Sequence, residues 1–444
     1  MSTANRIRVG WISLAAVLLA PLACGDANDS SGVAEVVEIH TEAGVTPGMM
    51  AVLDLFRTSH PKSQLVFDWG ASAQQRFEQR MNAGQPPDVF EAFVGYDLLR
   101  WATGGTTPSA QSLVEPLDSL ALDQAYAGVF PAGLLEAVSA DGHLYGVPAG
   151  IERQNTLFYS KQIFDANGLA APVTLDDFFV VAENLKAKGI IPLAISGTEA
   201  WPIGSIAWPG LLIEEAGAPY FVEFFRGNKS PADPEIRRML TKLSSVLDYT
   251  NYRIRTPDVA ALLAANPTAP DPEDPASLSP AQAVDLVFDG KAAMTIMGDG
   301  PRAYLADKGW QPDVAFGEVP MFGTGATFVF SGSAFALPVG ASNRTGGLDL
   351  LKTFGSAEAQ TAFNVSNGST PGRIDADRAQ FGSMDQKRMD DLASATAVVP
   401  VSYAFCPLER VDAFERPLRA FATDRNIDGA IQALGANYAS LKLP

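Results

Sequence analysis

Histidine, cysteine and long apolar runs are all scarce in this 444-residue chain, and each scarcity removes a class of function. The three histidines, His40, His60 and His143, stand apart from one another, so local spacing offers neither a metal cluster nor a Ser-His-Asp arrangement. No GxxxxGKS/T phosphate loop occurs. Basic residues are outnumbered, 32 against 50 acidic ones, for a formal net charge of −18. They form no runs, which argues against nucleic acid as a partner. Beyond the N-terminus no stretch approaches the roughly 20 apolar residues of a membrane-spanning helix.

The N-terminus itself reads as an export signal over residues 1–23. Arg6 and Arg8 precede an uncharged apolar run, Val9 to Ala23, of about 15 residues, too short to span and followed at once by charge at Asp26. "PLAC" ending at Cys24 resembles a lipobox, with Pro21 where leucine is usual and Leu22 next, so cleavage by the general signal peptidase stays open. Residues 24–33, polar and small, suit a lipid-anchored tether. With Cys24 acylated, Cys406 has no disulfide partner within the chain. The fold must then rest on its core, and a mature chain of this length should divide into two lobes.

Strands and helices alternate after the tether. Val36–Ile39 reads as a strand. Thr46-Pro47 opens a helix whose apolar positions Met49, Val52, Leu53 and Phe56 recur at helical spacing up to Pro61. Leu65–Trp69 and Asp88–Phe93 read as strands around a helix over Gln74–Met81, a pattern that predicts an α/β lobe with a parallel sheet. Tyr145–Pro148 and Asn155–Tyr159 are extended. Thr174 with Asp177 starts a helix closed by Gly189, and Ile190–Ile195 is the next strand. Asn266–Pro280 holds five prolines and three acidic residues and reads as a stiff surface loop. Ser279-Pro280 then caps a helix running to Asp289, before a buried strand over Ala292–Met297.

Four stretches in this order resemble the extracellular solute-binding proteins of sugar ABC importers, the group that includes the maltose- and glucose-binding proteins. They are AGQPPDVFEAFVGYDLLRW (Ala83–Trp101), the long segment YGVPAGIERQ…PLAISG (Tyr145–Gly197), FDGKAAMTIMGDG (Phe288–Gly300) and FGSAEAQTAFNVSNGSTPGRIDAD (Phe354–Asp377). The resemblance implies an α/β, two-lobed periplasmic-binding-protein fold of type II, maltose-binding-protein-like, with three hinge crossings. These are expected at Ala149–Arg153, Ile296–Asp299 and Phe330–Ser333, beside Gly150, Gly298 and Gly332, whose backbones change torsion easily. Residues 34–149 and 299–330 would form the N-terminal lobe, and 153–296 with 333–444 the C-terminal lobe.

A sugar presents C–H faces and a rim of hydroxyls, so its site needs flat aromatics together with carboxylate, amide or guanidinium groups near strand ends. Trp69 follows the second strand. Glu91 and Asp299 match positions where relatives contact sugar, and Glu152 and Arg153 lie on the first crossing. Trp201 and Trp208 follow the strand ending at Ser196, and either can serve as a stacking platform. His40 and Glu42 stand where glucose-binding relatives carry tryptophans, and Gly300 stands where an aromatic often follows the Asp. Both departures weaken any specific assignment to glucose. Arg373 and Tyr403 fall in the region that supplies second-lobe contacts.

The expected function is capture of a mono- or oligosaccharide by hinge closure and its delivery to ABC permease subunits that work with a separate ATPase. No catalysis, cofactor or metal is expected. The protein would act as a monomer at the outer face of the cytoplasmic membrane or in the periplasm, anchored at Cys24. Two alternatives stay open at this level. One is a sugar-sensing lipoprotein built on the same clamp. The other is a secreted glycoside hydrolase, which would need two carboxylates at a fixed separation.

Overall fold

The computed structural model describes residues 36–41, 44–104 and 111–438. The leader, Cys24, the tether and Glu42 lie outside the described residues. Strand β1 (Val36–His40) leads to helix α1 (Pro47–Ser59), where the Thr46 hydroxyl accepts the Met49 amide and Met49, Val52, Leu53 and Phe56 are all buried. β2 (Gln64–Asp68), α2 (Ala73–Asn82), β3 (Val89–Phe93) and α3 (Tyr96–Ala102) continue the alternation. Then come β4 (Val147–Arg153), β5 (Thr156–Ser160), α4 (Leu175–Lys186) behind its Thr174/Asp177 capping box, and β6 (Ile191–Ala194). A π-helical turn, Pro202–Ala207, feeds α5 (Trp208–Phe225). Ser279 and Gln282 form a second capping box on α6 (Pro280–Phe288), ahead of β7 (Ala292–Met297), β8 (Phe316–Pro320) and β9 (Thr327–Ala336). The rest comprises α7 (Arg344–Phe354), α8 (Ala357–Asn367), β10 (Thr370–Pro371), α9 (Ser383–Ser394), β11 (Ala397–Pro400) and α10 (Leu408–Asp424).

Two sheets organise these elements. The larger runs β10-β4-β9-β3-β1-β2, with β11 pairing the first half of β9, and the smaller runs β8-β5-β7-β6. Only part of each sheet is parallel, as expected for β1 with its neighbours β2 and β3 and for β6 with β7. β9 lies antiparallel to both β3 and β4, because it returns from the other lobe. Each sheet carries its own core. Phe56, Phe90, Leu98, Phe335 and Phe354 belong to one, and Phe178, Leu193, Trp208, Phe224 and Met294 to the other.

The lobe boundaries differ from those expected. β8 pairs antiparallel with β5 from Phe316 opposite Ser160 to Pro320 opposite Thr156, which places residues 299–330 largely in the second lobe, not the first. Conversely, β9 pairs with β3 from Ser333 to Ala336, and α7 and α8 pack on the first core, so this part of 333–444 belongs to the first lobe. Ile296–Asp299 is therefore no crossing, because the chain turns there within the second lobe. The connections between lobes are β4 to β5 through Gln154 and Asn155, the body of β9, and the segment from β10 to α9.

The glycines near these places are explained by space. A Cβ on Gly332 would lie 2.7 Å from the Gly150 carbonyl, one on Gly150 would lie 2.6 Å from Asn364 Oδ1, and one on Gly298 would lie 2.5 Å from Gln154 Oε1. None of the three has a positive φ. The proline-rich segment is an excursion on the second lobe, fastened where the buried Glu273 carboxylate accepts the Thr256 amide (2.8 Å) and hydroxyl (2.6 Å).

Trp208, one of the two expected platforms, is core. It is fully buried and packs edge-on against Phe224, Phe225 and Phe414. The sequence around it is apolar on every side of the helix, as a wholly enclosed segment requires. Trp208→Ala is accordingly expected to destabilise the protein by about 3–5 kcal/mol in urea unfolding. Trp69→Ala, which removes a ring 58% exposed, should cost only about 0.5 kcal/mol. Equal costs would contradict this division of the two tryptophans.

Candidate functional site

The carboxyl ends of β1, β2 and β3 open toward the space between the lobes. Trp69 follows β2, is 58% exposed and lies against Gly44, and Phe93 at the end of β3 is 43% exposed. Glu91 is nearly buried in β3, with the Thr41 hydroxyl donating to its carboxylate. A cavity of about 610 Å³ continues from these ends, lined by Gly70, Gln74, Phe93, Asp97, Tyr403 and Pro407. Its walls thus come from the β2-α2 and β3-α3 turns and from the segment after β11.

The crossings are tied to one another by side-chain hydrogen bonds. The Gln154 side-chain amide donates to the Ser331 hydroxyl at 2.6 Å, so β9 is tied to the first connection. Asn155 donates to Thr324 Oγ1 (2.8 Å) and the Thr327 carbonyl (3.0 Å) while accepting the Val329 amide (3.1 Å). The Glu152 side chain reaches solvent from a recess where burial and the Asp299 carboxylate raise its pKa, against the opposing pull of Arg388. Tyr403, pushed up to about 12 by burial, has Ser331 as a hydrogen-bonding neighbour and the Glu152 charge close by. Trp201 is half-buried on the loop after β6, its indole N–H donating to Glu199.

Behind Glu152 lies a buried ionic cluster. Asp299, 6% exposed, accepts the Arg153 amide at 2.8 Å and lies 2.5 Å from Arg388 Nη1. Arg388, 1% exposed, also reaches Glu318 (3.0 Å) and Asp385 (2.5 Å), and Arg302 lies 2.8 Å from Asp385. Arg153 is buried, with Asp391 at 2.7 Å and Phe328 under its guanidinium. The expected sugar contacts Asp299 and Arg153 therefore have charge partners inside the protein.

Other expected residues are drawn elsewhere. His40 is buried against Phe77 with ring centroids 4.4 Å apart, and burial lowers its pKa despite Asp68 at 3.7 Å. Arg373 is not a second-lobe contact. Buried in the first lobe, it pairs with Asp375 (2.7 Å), donates to the Gly355 carbonyl (2.8 Å) and lies over Phe130. Of the remaining expected residues, Tyr403 lines the cavity, Trp69 precedes Gly70 of its wall, Glu91 stands two residues before Phe93 on β3 and Glu152 has Tyr403 close by, whereas Trp201 packs on the second-lobe core. Phe93, Gln154 and Arg388 were not anticipated. Arg388 has a legible signal, since it continues the i, i+4 stripe of the buried Met384 and Leu392, where an arginine demands an anionic partner.

Glu318 carries a pH consequence. Burial and the nearby Asp299 push it up to about 7 from 4.5, against Arg388, Arg302 and Arg153. Since the folded value exceeds the unfolded one, its contribution to stability is fully present below about 4.5 and lost as pH rises through about 7. Glu318→Gln is neutral at every pH, so its Tm should gain on that of the unaltered protein between pH 5 and pH 8. A difference that stays constant over this range would contradict the assignment.

A sequence model for bacterial extracellular solute-binding proteins matches residues 42–361. An uncharacterised ABC transporter extracellular-binding protein of Pyrococcus horikoshii is 28% identical over 374 residues, 82% of this chain and 78% of its own. A probable sugar-binding periplasmic protein of Brucella suis is 24% identical over 74% of this chain and 71% of its own. The xylose/arabinose-binding protein of Haloferax volcanii is 24% identical over 86% and 80% respectively. Among solved structures, apo RafE of Streptococcus pneumoniae superposes with a TM-score of 0.72 at 17% identity, covering 94% of this chain and all of that one. The receptor AcbH gives 0.71 at 15% identity, covering 92% and 98%. On a two-lobed α/β fold shared with these structures, and with the family's sequence pattern running through most of its length, the chain belongs to the bacterial extracellular solute-binding proteins.

Proposed function

We propose that the protein is the substrate-capturing subunit of an ABC importer, that its substrate is a carbohydrate, and that it works from a lipid anchor at Cys24. The observation that carries the carbohydrate reading is the exposed Trp69 ring after β2 and the exposed Phe93 ring at the end of β3, on a sheet that also holds the Glu91 carboxylate, with Glu152 on β4 and Tyr403 after β11 close to each other. Aromatic faces take the C–H patches of a pyranose or furanose ring, and carboxylates take its hydroxyls in charge-assisted hydrogen bonds. The printed names of several relatives support the same class, being sugar-binding, xylose/arabinose-binding and multiple sugar-binding proteins. The anchor is supported by the leader and the cysteine that follows it.

In this reading the two lobes capture a sugar while apart and close on it about β4 and β9. Closure about a hinge is the established motion of periplasmic binding proteins. It is driven by contacts that exist only when both lobes touch the ligand, because differential affinity is what shifts the population. Glu152, Gln154 and Tyr403 sit where such contacts are formed, beside the connections that move.

Isothermal titration with D-galactose, D-xylose, L-arabinose and raffinose tests the proposal. At least one should bind with saturable heat and without release of new reducing ends, and Trp69→Ala should weaken that binding about tenfold, or about 1.4 kcal/mol. Absence of heat from every sugar, or unchanged affinity in the Trp69 variant, would refute the reading.

A further inference from the structure

Away from the interlobe space, α10 carries Arg416, Arg419, Ala420 and Thr423 at i, i+3, i+4 and i+7 spacing, one face of the helix. This face and residues Tyr252, Arg253 and Gly197 bound a cavity of about 600 Å³ on the second lobe, which Asp274 and Ala276 of the proline-rich segment help to close. It shares no lining residue with the interlobe cavity. The Tyr252 hydroxyl fills the space beside Gly197, where a Cβ would lie 2.6 Å from it.

The charges in this cavity run against the rest of the molecule. In a chain of net charge −18, arginines find acids readily. Arg80 meets Glu38, Arg237 meets Asp428, Arg255 meets Asp271 and Arg344 meets Glu115. Arg253 and Arg419 meet neither a carboxylate nor a carbonyl oxygen through their guanidinium groups, unlike these arginines. Both line this one cavity, with Arg416 beside them. The carboxylate present, Asp274, accepts the Ala276 amide at 3.1 Å as the cap of a 3-10 turn, and it makes no ion pair with these arginines. The Tyr252 phenol feels both signs, since Arg419 draws its pKa down and Asp274 raises it, with burial the larger influence.

We propose that this cavity is a second ligand site and that it takes a small oxyanion of the phosphate class, free or carried on a small metabolite. Planar guanidinium groups donate paired N–H bonds to tetrahedral oxyanions and hold their charge at every physiological pH. Two unpaired guanidiniums and a phenol able to donate match the charge and the acceptor set of a phosphate dianion. The volume exceeds that of a bare anion, so a phosphorylated small molecule fits as well.

Thermal unfolding and phosphorus NMR of the mature protein test the site. Inorganic phosphate should raise Tm above the value in sodium chloride of equal ionic strength, and its phosphorus resonance should broaden on addition of protein. Glucose 6-phosphate, tested in parallel, distinguishes a free anion from a carried one by which of the two gives the larger shift. The double variant Arg253→Ala/Arg419→Ala should lose both effects, and Arg419→Lys should keep part of them. Both altered side chains are exposed, and Tm in phosphate-free buffer reports whether the double variant is folded. Its titration with the sugar panel should match that of the unaltered protein, which separates this site from the interlobe one. Equal shifts from phosphate and chloride, or a phosphate effect retained in the folded double variant, would overturn the proposal.

Discussion

The close antiparallel pairing of β4 with β9 is the constraint on which the rest of the structure depends. Gly332 backs onto the carbonyl of Gly150 at a separation that leaves no room for a side chain, so the two strands that link the lobes run as near neighbours. Both strands enter the first sheet on one side of the molecule and lead into the second lobe on the other. Any rotation of one lobe against the other has to pass through them. Side-chain amides extend the pairing beyond the strands, since Gln154 reaches Ser331 and Asn155 bridges Thr324, Thr327 and Val329.

Buried charge reinforces the same place. Arg388, Asp299 and Glu318 lie out of solvent behind Glu152 with the half-buried Asp385 at their edge, and Arg153 sits beside them with its backbone amide on Asp299. Such a cluster contributes little net stability, because desolvation offsets most of the attraction. Removing one member is costly, because it leaves the others unpaired. Its value lies in specificity of position. Asp299 stands against the first connection and α9 against the second lobe, so Arg388 joins the third link between lobes to the first. The same low-dielectric setting raises the pKa of Glu152 and of Glu318.

Much of the local structure was legible in the sequence because its signals are short-range. The caps at Thr46, Thr174 and Ser279 form their hydrogen bonds with residues three positions on, and the buried stripe Met49-Val52-Leu53-Phe56 follows from helical period alone. Ile296–Asp299 is misread as a crossing because lobe membership there is decided by strand pairing across long separations. Nothing near Asp299 reveals that Phe316–Pro320 will pair with Thr156–Ser160 and keep the chain in the second lobe. Site residues divide the same way. Trp69 stands after a strand and is exposed, as its place in the sequence suggests. Trp201 and Trp208 follow the same strand, and only the π-helical turn between them decides that Trp208 enters the core. Arg373 and His40 carry polar groups to strand or segment ends as a ligand contact would, but their partners Asp375, Gly355 and Phe77 are set by tertiary packing.

The claim that unites these features is that two rigid lobes close about β4 and β9 when a sugar bridges them. Small-angle X-ray scattering of the mature protein with and without a sugar shown by titration to bind tests it most directly. The account predicts a smaller radius of gyration and a shorter maximum dimension at saturation. Saturable binding with an unchanged scattering profile would contradict it.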